Sequence, residues 1–290
     1  GMDESGELSD VDWILQFDLI AGSMNILQIP RDSYMPDYAS YSTTKFNSIY
    51  HSGQETGVTP IQRVVDAIRE NFCIYVDAYV KLNCVDIANI VDSVGGIPIT
   101  LPEQITYEAD KVLPAGEQTL NGQQAEWFVR FRREYDEGDI GRVKAQRIFL
   151  AAAMQKLLDM SQTELMSAMQ KIYKNEWIAT DLSLEQISML ADFAAKRLTM
   201  DGVNVYMVPG EGIMYEGQAV YSIHKTEAID LINEHFRPYQ NEMYYDESTI
   251  VELVDESNYI DTYSDTEENL NDIHKGDTED GKQNIYSNGN

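Results

Sequence analysis

Between Thr59 and Pro102 the spacing of apolar residues changes period three times, and this alternation restricts the fold more than any other feature of the chain. Thr59-Pro60 opens a helix, because proline's fixed φ and missing N–H are harmless at the first helical position. Ile61, Val64, Val65, Ile68 and Phe72 then recur at helical spacing. Residues 73–80 (CIYVDAYV) are β-rich, 85–94 read as a second helix ended by Gly95-Gly96, and 97–102 (IPITLP) as a strand closed by proline. Upstream, WILQF (13–17) and MNILQI (24–29) flank a turn-prone IAGS and predict a hairpin or two adjacent strands, which IPRDSY (29–34) then leaves. Downstream, Asn121 with Gln124 predicts a capping-box helix start, Asp139 caps a helix over about 140–159, and Ser183 with Gln186 caps another to about 199. Residues 160–200 hold two consecutive helices, 203–209 a strand and 224–236 a last helix. Strands alternating with helices define an α/β layered domain over roughly 1–238.

Charge sets the rest apart. The formal net charge is -28, and from Gln240 to Asn290 there are 14 Asp or Glu against two Lys. Large apolar residues thin out there, so 239–290 is expected to be a disordered acidic tail whose tyrosines (Tyr244, Tyr245, Tyr259, Tyr263, Tyr286) are candidates for docking on a partner. So acidic a chain, without a helix-turn-helix signal, is no general nucleic-acid binder, because such affinity comes from neutralised phosphates. Cys73 and Cys84 form no CxxC pair, the four histidines have no metal spacing, and neither GxSxG nor GxxxxGK[ST] occurs. The spacing of the two cysteines leaves a disulfide open.

Against this background, residues 130–147 (RFRREYDEGDIGRVKAQR) hold six of the chain's 21 lysines and arginines. If 128–133 are extended, Arg130 and Arg132 share a side. If 140–159 is helical, Arg142 and Gln146 lie one turn apart near its start, where backbone N–H groups favour anions. Arginine suits phosphate because its planar fork donates two parallel bonds and stays charged. The competing reading is a solvated face salt-bridged to Glu134, Asp136 and Glu137. Arg31-Asp32 lies just past a strand, where open α/β sheets place ligands, although a loop salt bridge has the same signature. Asp3, Asp10 and Asp12 are candidate carboxylates for Mg2+, or simply an acidic terminus.

Six segments, in order, resemble the LytR–CpsA–Psr family of bacterial cell-envelope proteins: SDVDWILQFD, IPRDSY, TKFNSIY (44–50), VDSVGGIPITLP (91–102), LPAGEQTLNGQQAEWFVRFR (113–132) and DIGRVKAQR (139–147). The resemblance runs from residue 3 to about 236. It implies a three-layer α/β/α sandwich with a mixed central sheet and a deep apolar pocket. It implies a phosphotransferase that moves an anionic glycopolymer (wall teichoic acid, capsule or a related glycan) from a polyprenyl-pyrophosphate carrier to the C6 hydroxyl of N-acetylmuramic acid in peptidoglycan, assisted by Mg2+ or Mn2+. By position, Arg31, Arg130, Arg132, Arg142 and Gln146 would contact the pyrophosphate. Asp3 and Asp10 would hold the metal, and Asp10 or Asp32 would serve as base beside Arg31. A membrane helix and a strand usually precede the Gly-x-Asp segment in the family, so the resemblance implies an anchored protein on the extracytoplasmic face of the cell membrane. Leu8 and Ala145 stand where the family often has arginine, which leaves Arg133, Lys144 or Arg147 to supply that charge. A module that binds the lipid carrier with weak or no transfer is the alternative reading.

Overall fold

In the computed structural model, the first helical signals become real elements with the caps the sequence prescribes. The described residues are 1–3, 5–38, 43–55, 57–101, 104–131, 139–259 and 267–276, with backbone alone at 53–55 and 139–144. In chain order they form β1 (Asp12–Asp18), β2 (Ser23–Ile29), α1 (Ile49–Glu55), α2 (Pro60–Phe72), β3 (Val80–Lys81), α3 (Cys84–Ser93), β4 (Ile97–Leu101), β5 (Ile105–Glu108), β6 (Lys111–Leu113), β7 (Gly116–Leu120), α4 (Gly122–Arg130) and α5 (Asp139–Leu158). Then follow α6 (Gln162–Lys174), β8 (Ala179–Thr180), α7 (Leu184–Arg197), β9 (Val203–Met207), β10 (Gly210–Tyr215), β11 (Gln218–Ile223), α8 (Lys225–His235), β12 (Glu267–Asn269) and α9 (Leu270–Lys275). The Thr59 hydroxyl accepts from Gln62 N, and Asn121/Gln124 and Ser183/Gln186 both close full capping boxes. None of these helices is long and apolar enough to cross a membrane.

β1 and β2 are joined by four residues and lie side by side in a four-stranded sheet of order β1-β2-β9-β12. β4 pairs antiparallel with β7, β5 with β6, and β10 with β11. Contacts divide the chain into two units. The first comprises Gly1–Gln16, Asn25–Tyr79 and Val205–Glu267; the second comprises Phe17–Met24, Val80–Asn204 and Glu268–Asn290. The core of the first gathers Leu27, Ile29, Phe46, Phe72, Tyr206 and Ile232; that of the second gathers Ile97, Leu101, Leu113, Leu120, Phe128 and Phe131. Each fully buried side chain of this size contributes about 1.5–3 kcal/mol. In the second unit α3 and α4 touch at Gly122, where a Cβ would lie 2.0 Å from the Ala88 carbonyl oxygen. Gly95 and Gly96 both have positive φ and turn the chain from α3 into β4, as expected.

Two expectations are corrected. Residues 73–80 do not form a strand: Cys73 ends α2 in the left-handed conformation (φ 48°), and only Val80–Lys81 finds a partner, Ala179–Thr180. The apolar alternation is real, with Ile74 buried and Tyr75 exposed, but among the described residues no strand forms a ladder with 73–79. The tail is not unstructured from 239 on. Met243 and Ile250 enter the first core, Leu270 and Ile273 are buried, and β12 joins the sheet beside β9. Two of its tyrosines dock on the chain itself: the Tyr259 ring stacks on His224 (centroids 3.7 Å apart) and Tyr245 lies under Lys225 Nζ at 4.0 Å. Tyr263 and Tyr286 lie outside the described residues. Cys73 and Cys84 are not joined in a disulfide.

Candidate active site

The Arg31 end of β2 is clamped from both sides by backbone. Tyr221 N on β11 donates to Asp32 O (2.8 Å), and Tyr34 N donates to Tyr221 O (2.9 Å). On the other side Asn47 N donates to Arg31 O (3.0 Å) and Phe46 N to Ser33 O (2.8 Å). Ser9 N in turn donates to Asn47 O (3.0 Å), which ties the first residues of the chain to the same point. The side chains there alternate in charge. Arg31 Nη1 donates to Asp10 Oδ1, Arg31 Nε lies 3.8 Å from Asp32 Oδ1, and Lys45 Nζ lies 3.0 Å from that same oxygen. All four remain 17–30% exposed, so a ligand can reach them.

A bridge between Met2 and Ser9 turns the first residues back on themselves, with Asp3 N donating to Leu8 O and Asp10 N to Gly1 O. Met2 and Ser9 are buried. The pleat therefore puts Asp3 and Asp10 together on the opposite face, as diagonal neighbours whose Cα atoms lie about 7–8 Å apart in such ladders. Asp3 and Asp10 are the carboxylates that could contribute to holding Mg2+, which takes one or two carboxylates and completes its shell with ligand oxygens and water. Among the described residues no group of three or more His, Cys, Asp or Glu gathers where an ion could sit. Asp3 Oδ1 also accepts from Ser5 Oγ (2.7 Å), which shapes the intervening loop. Asp12 stands near Asp10: its carboxyl is pushed above the usual range, first by burial and also by repulsion from Asp10, against the pull of a Ser9 hydroxyl bond and Arg31.

The second set of candidates lies on α4 and α5. Arg130 is not in an extended segment. It closes α4, bonds Glu126 one turn back at 2.8 Å and lies 6.0 Å from the Tyr107 ring centre. The chain becomes extended only at Phe131, so the expectation that Arg130 and Arg132 share a side through a strand-like stretch fails at its first residue. Arg132 and Arg133 lie outside the described residues. Arg142 and Gln146 both fall in the first two turns of α5; the Arg142 and Lys144 side chains are not described, and Gln146 is buried. Arg147, a candidate for extra positive charge, is turned elsewhere. It is buried and bonds Glu268 at 2.9 Å.

Two residues near Arg31 went unassigned in the sequence. Lys45 is the second cation on Asp32, and Asn47 is buried with no partner for Oδ1 among the described residues. Both fall within TKFNSIY, so the motif was visible but the roles were not.

The family model of the LytR_cpsA_psr family matches residues 2–237. The chain belongs to the LytR–CpsA–Psr family. Among its curated relatives is the polyisoprenyl-teichoic acid–peptidoglycan teichoic acid transferase TagU of Oceanobacillus iheyensis, 27% identical over 83% of this chain and 75% of that protein. TagU of Bacillus subtilis is 26% identical over 72% of this chain and 65% of its own length, so the chain spans 65–75% of these two relatives. Among solved structures, a Streptococcus agalactiae protein, gbs0355, superposes with a TM-score of 0.70 at 18% identity, covering 91% of this chain and 92% of that one. TagT bound to LIIa-WTA superposes with a TM-score of 0.61 at 21% identity, over 78% and 84% of the two chains. At such identities the likeness carries the fold: the family's α/β architecture with a mixed sheet.

Proposed function

We propose that this chain is a phosphotransferase that moves an anionic glycopolymer from a polyprenyl-pyrophosphate carrier to peptidoglycan, at the extracytoplasmic face of a bacterial membrane. The observation that carries the reading is the Arg31 site: the Arg31 guanidinium just past β2 and the Lys45 ammonium both meet Asp32, and Arg31 also bonds Asp10. The relatives named as teichoic acid transferases support the substrate class.

In this reading Arg31 binds phosphate and offsets the charge that grows on the leaving group, usually the largest catalytic term. Arg130, Arg132, Arg142 and Gln146 of the second unit are proposed as phosphate ligands in their own right. Asp3 and Asp10 would hold Mg2+ or Mn2+, which when bound supplies Lewis-acid neutralisation of phosphate oxygens. The acceptor hydroxyl oxygen forms the new bond to phosphorus. The bond from phosphorus to the bridging oxygen breaks, polyprenyl phosphate leaves, and the hydroxyl proton passes to a carboxylate, Asp10 or Asp32. The protein supplies no nucleophile of its own.

A second reading, a carrier-binding module with weak transfer, is favoured by one observation: Arg147, a candidate for extra positive charge, is bonded to Glu268. Calorimetry with a polyprenyl pyrophosphate, with and without Mg2+, followed by a transfer assay separates the two. The transferase reading expects micromolar binding, weakened more than about tenfold (~1.4 kcal/mol) by Arg130→Ala and by Arg142→Ala, and Mg2+-dependent turnover. Binding without turnover supports the module. Binding indifferent to both substitutions makes the 130–147 segment a salt-bridged surface.

A further inference from the structure

We infer that Glu268 is a positioning residue for the transfer site: it fixes Arg147, and through it the orientation of the first two turns of α5. The inference rests on the phosphate-binding role proposed above for Arg142 and Gln146, which those turns carry.

Ala145, Gln146 and Arg147 are all buried. Three successive helical residues span about 200° of the helix circumference, so α5 is enclosed there and its rotation is set by what meets each side chain. Ala145 meets the apolar core of the second unit. Arg147 meets a charge 121 residues away in sequence, and at 2.9 Å the pair is buried on both sides. A guanidinium is tolerated at such a depth only with a bonded counter-charge, so the bond from Glu268 helps keep this face of α5 inside.

Glu268 is itself firmly held. It lies on β12 at the edge of the sheet, next to β9. Asn269 donates to Asp201 O and to Asn204 Oδ1, both at 3.0 Å, and its own Oδ1 accepts from Asn271 N to cap α9. Leu270 and Ile273 of α9 are buried. The family match ends at residue 237, so the counter-charge comes from a segment beyond it. An arginine expected to supplement the phosphate site is thereby converted into an anchor for that site.

The test uses the full chain with Glu268→Gln, which keeps the shape and removes the charge, and Arg147→Lys, which keeps the charge and removes the fork. Amide hydrogen exchange over residues 140–147, binding of geranylgeranyl pyrophosphate and steady-state transfer are measured for each, and for the swapped pair Arg147→Glu/Glu268→Arg. The expected result is faster exchange in α5 and a fall in kcat of about ten- to a hundredfold, with a smaller change in KM and partial recovery in the swapped pair. A lower melting temperature with unchanged exchange, kcat and KM would overturn the inference and leave a purely structural pair. If the unmodified chain neither binds nor transfers, the proposed function falls instead. Exchange then decides alone, and unchanged protection of 140–147 in Glu268→Gln overturns the positioning role.

Discussion

Arg31 and Gln146 are held by opposite means. Around Arg31 the backbone is fixed by hydrogen bonds from β11 on one side and from residues 46 and 47 on the other, while its charged side chains stay partly in solvent. Around Gln146 the helix is fixed by buried side chains: Ala145 against the core and Arg147 against Glu268. In the first region a charge can therefore be removed without disturbing the frame that presents it. In the second, side chain and frame are the same structure, and function and stability should move together.

The sharpest break of this comparison is Arg31→Ala. Its ion pairs are partly exposed, so the stability cost should stay within about 1 kcal/mol. Removing a preorganised charge from a developing oxyanion costs about 10²–10³ in kcat. Transfer kinetics alongside a thermal melt would check both, and a large loss of stability would place Arg31 with the helical region instead. The counterpart in the second unit is Gly122→Val. Its side chain would collide with the Ala88 carbonyl, where even a Cβ comes to 2.0 Å. The collision sits at the start of α4, the helix that ends in Arg130, and Gly122 N also donates to Asp92 Oδ1 at 2.7 Å. Overpacking against backbone should destabilise by about 3 kcal/mol or more, read as a lower denaturation midpoint. Activity should fall in proportion to folded protein.

The same contrast explains what was legible in the chain. Signals that act within one turn were readable: the Thr59-Pro60 start, the two capping boxes at Asn121 and Ser183, and the Gly95-Gly96 turn all form as the residues prescribe. The candidate arginines and aspartates were legible as motifs because each motif is local. Pairings between distant segments were not. CIYVDAYV has strand composition, but among the described residues its strand pairing is confined to Val80, and composition does not report partners. The β10–β11 hairpin turns at Glu216-Gly217, both at positive φ; with Glu rather than Asn or Asp before the glycine, its signal is weak. β12 reads as Glu-Glu-Asn, the opposite of a strand. Within it Glu268 bonds a buried arginine 121 residues earlier, a relation no window of sequence contains.

The gentlest test stays in the first unit, on the loop that leaves the Arg31 site. Tyr38 donates its hydroxyl to Glu70, and Arg63 Nε donates to Tyr38 O at 2.8 Å. The bond from Tyr38 holds the Glu70 carboxyl below its usual range, and burial, then the same bond, pushes the Tyr38 hydroxyl up. A depressed carboxylate contributes stability above its unfolded value and loses it as pH falls through the folded one. A raised phenol contributes below its unfolded value and loses it as pH rises through the folded one. Tyr38→Phe should therefore cost most between about pH 5 and pH 10, and progressively less on either side. Because Glu70 is nearly half exposed, the cost at neutral pH should be no more than about 1 kcal/mol. Melting curves of the two proteins at neutral pH and near pH 3 should converge at the acid end. If the frame around Arg31 is backbone-built, transfer should be unchanged by this substitution at neutral pH. A loss of transfer exceeding the loss of stability would mean that the loop after IPRDSY, and not only the clamped strand end, sets the geometry of the site.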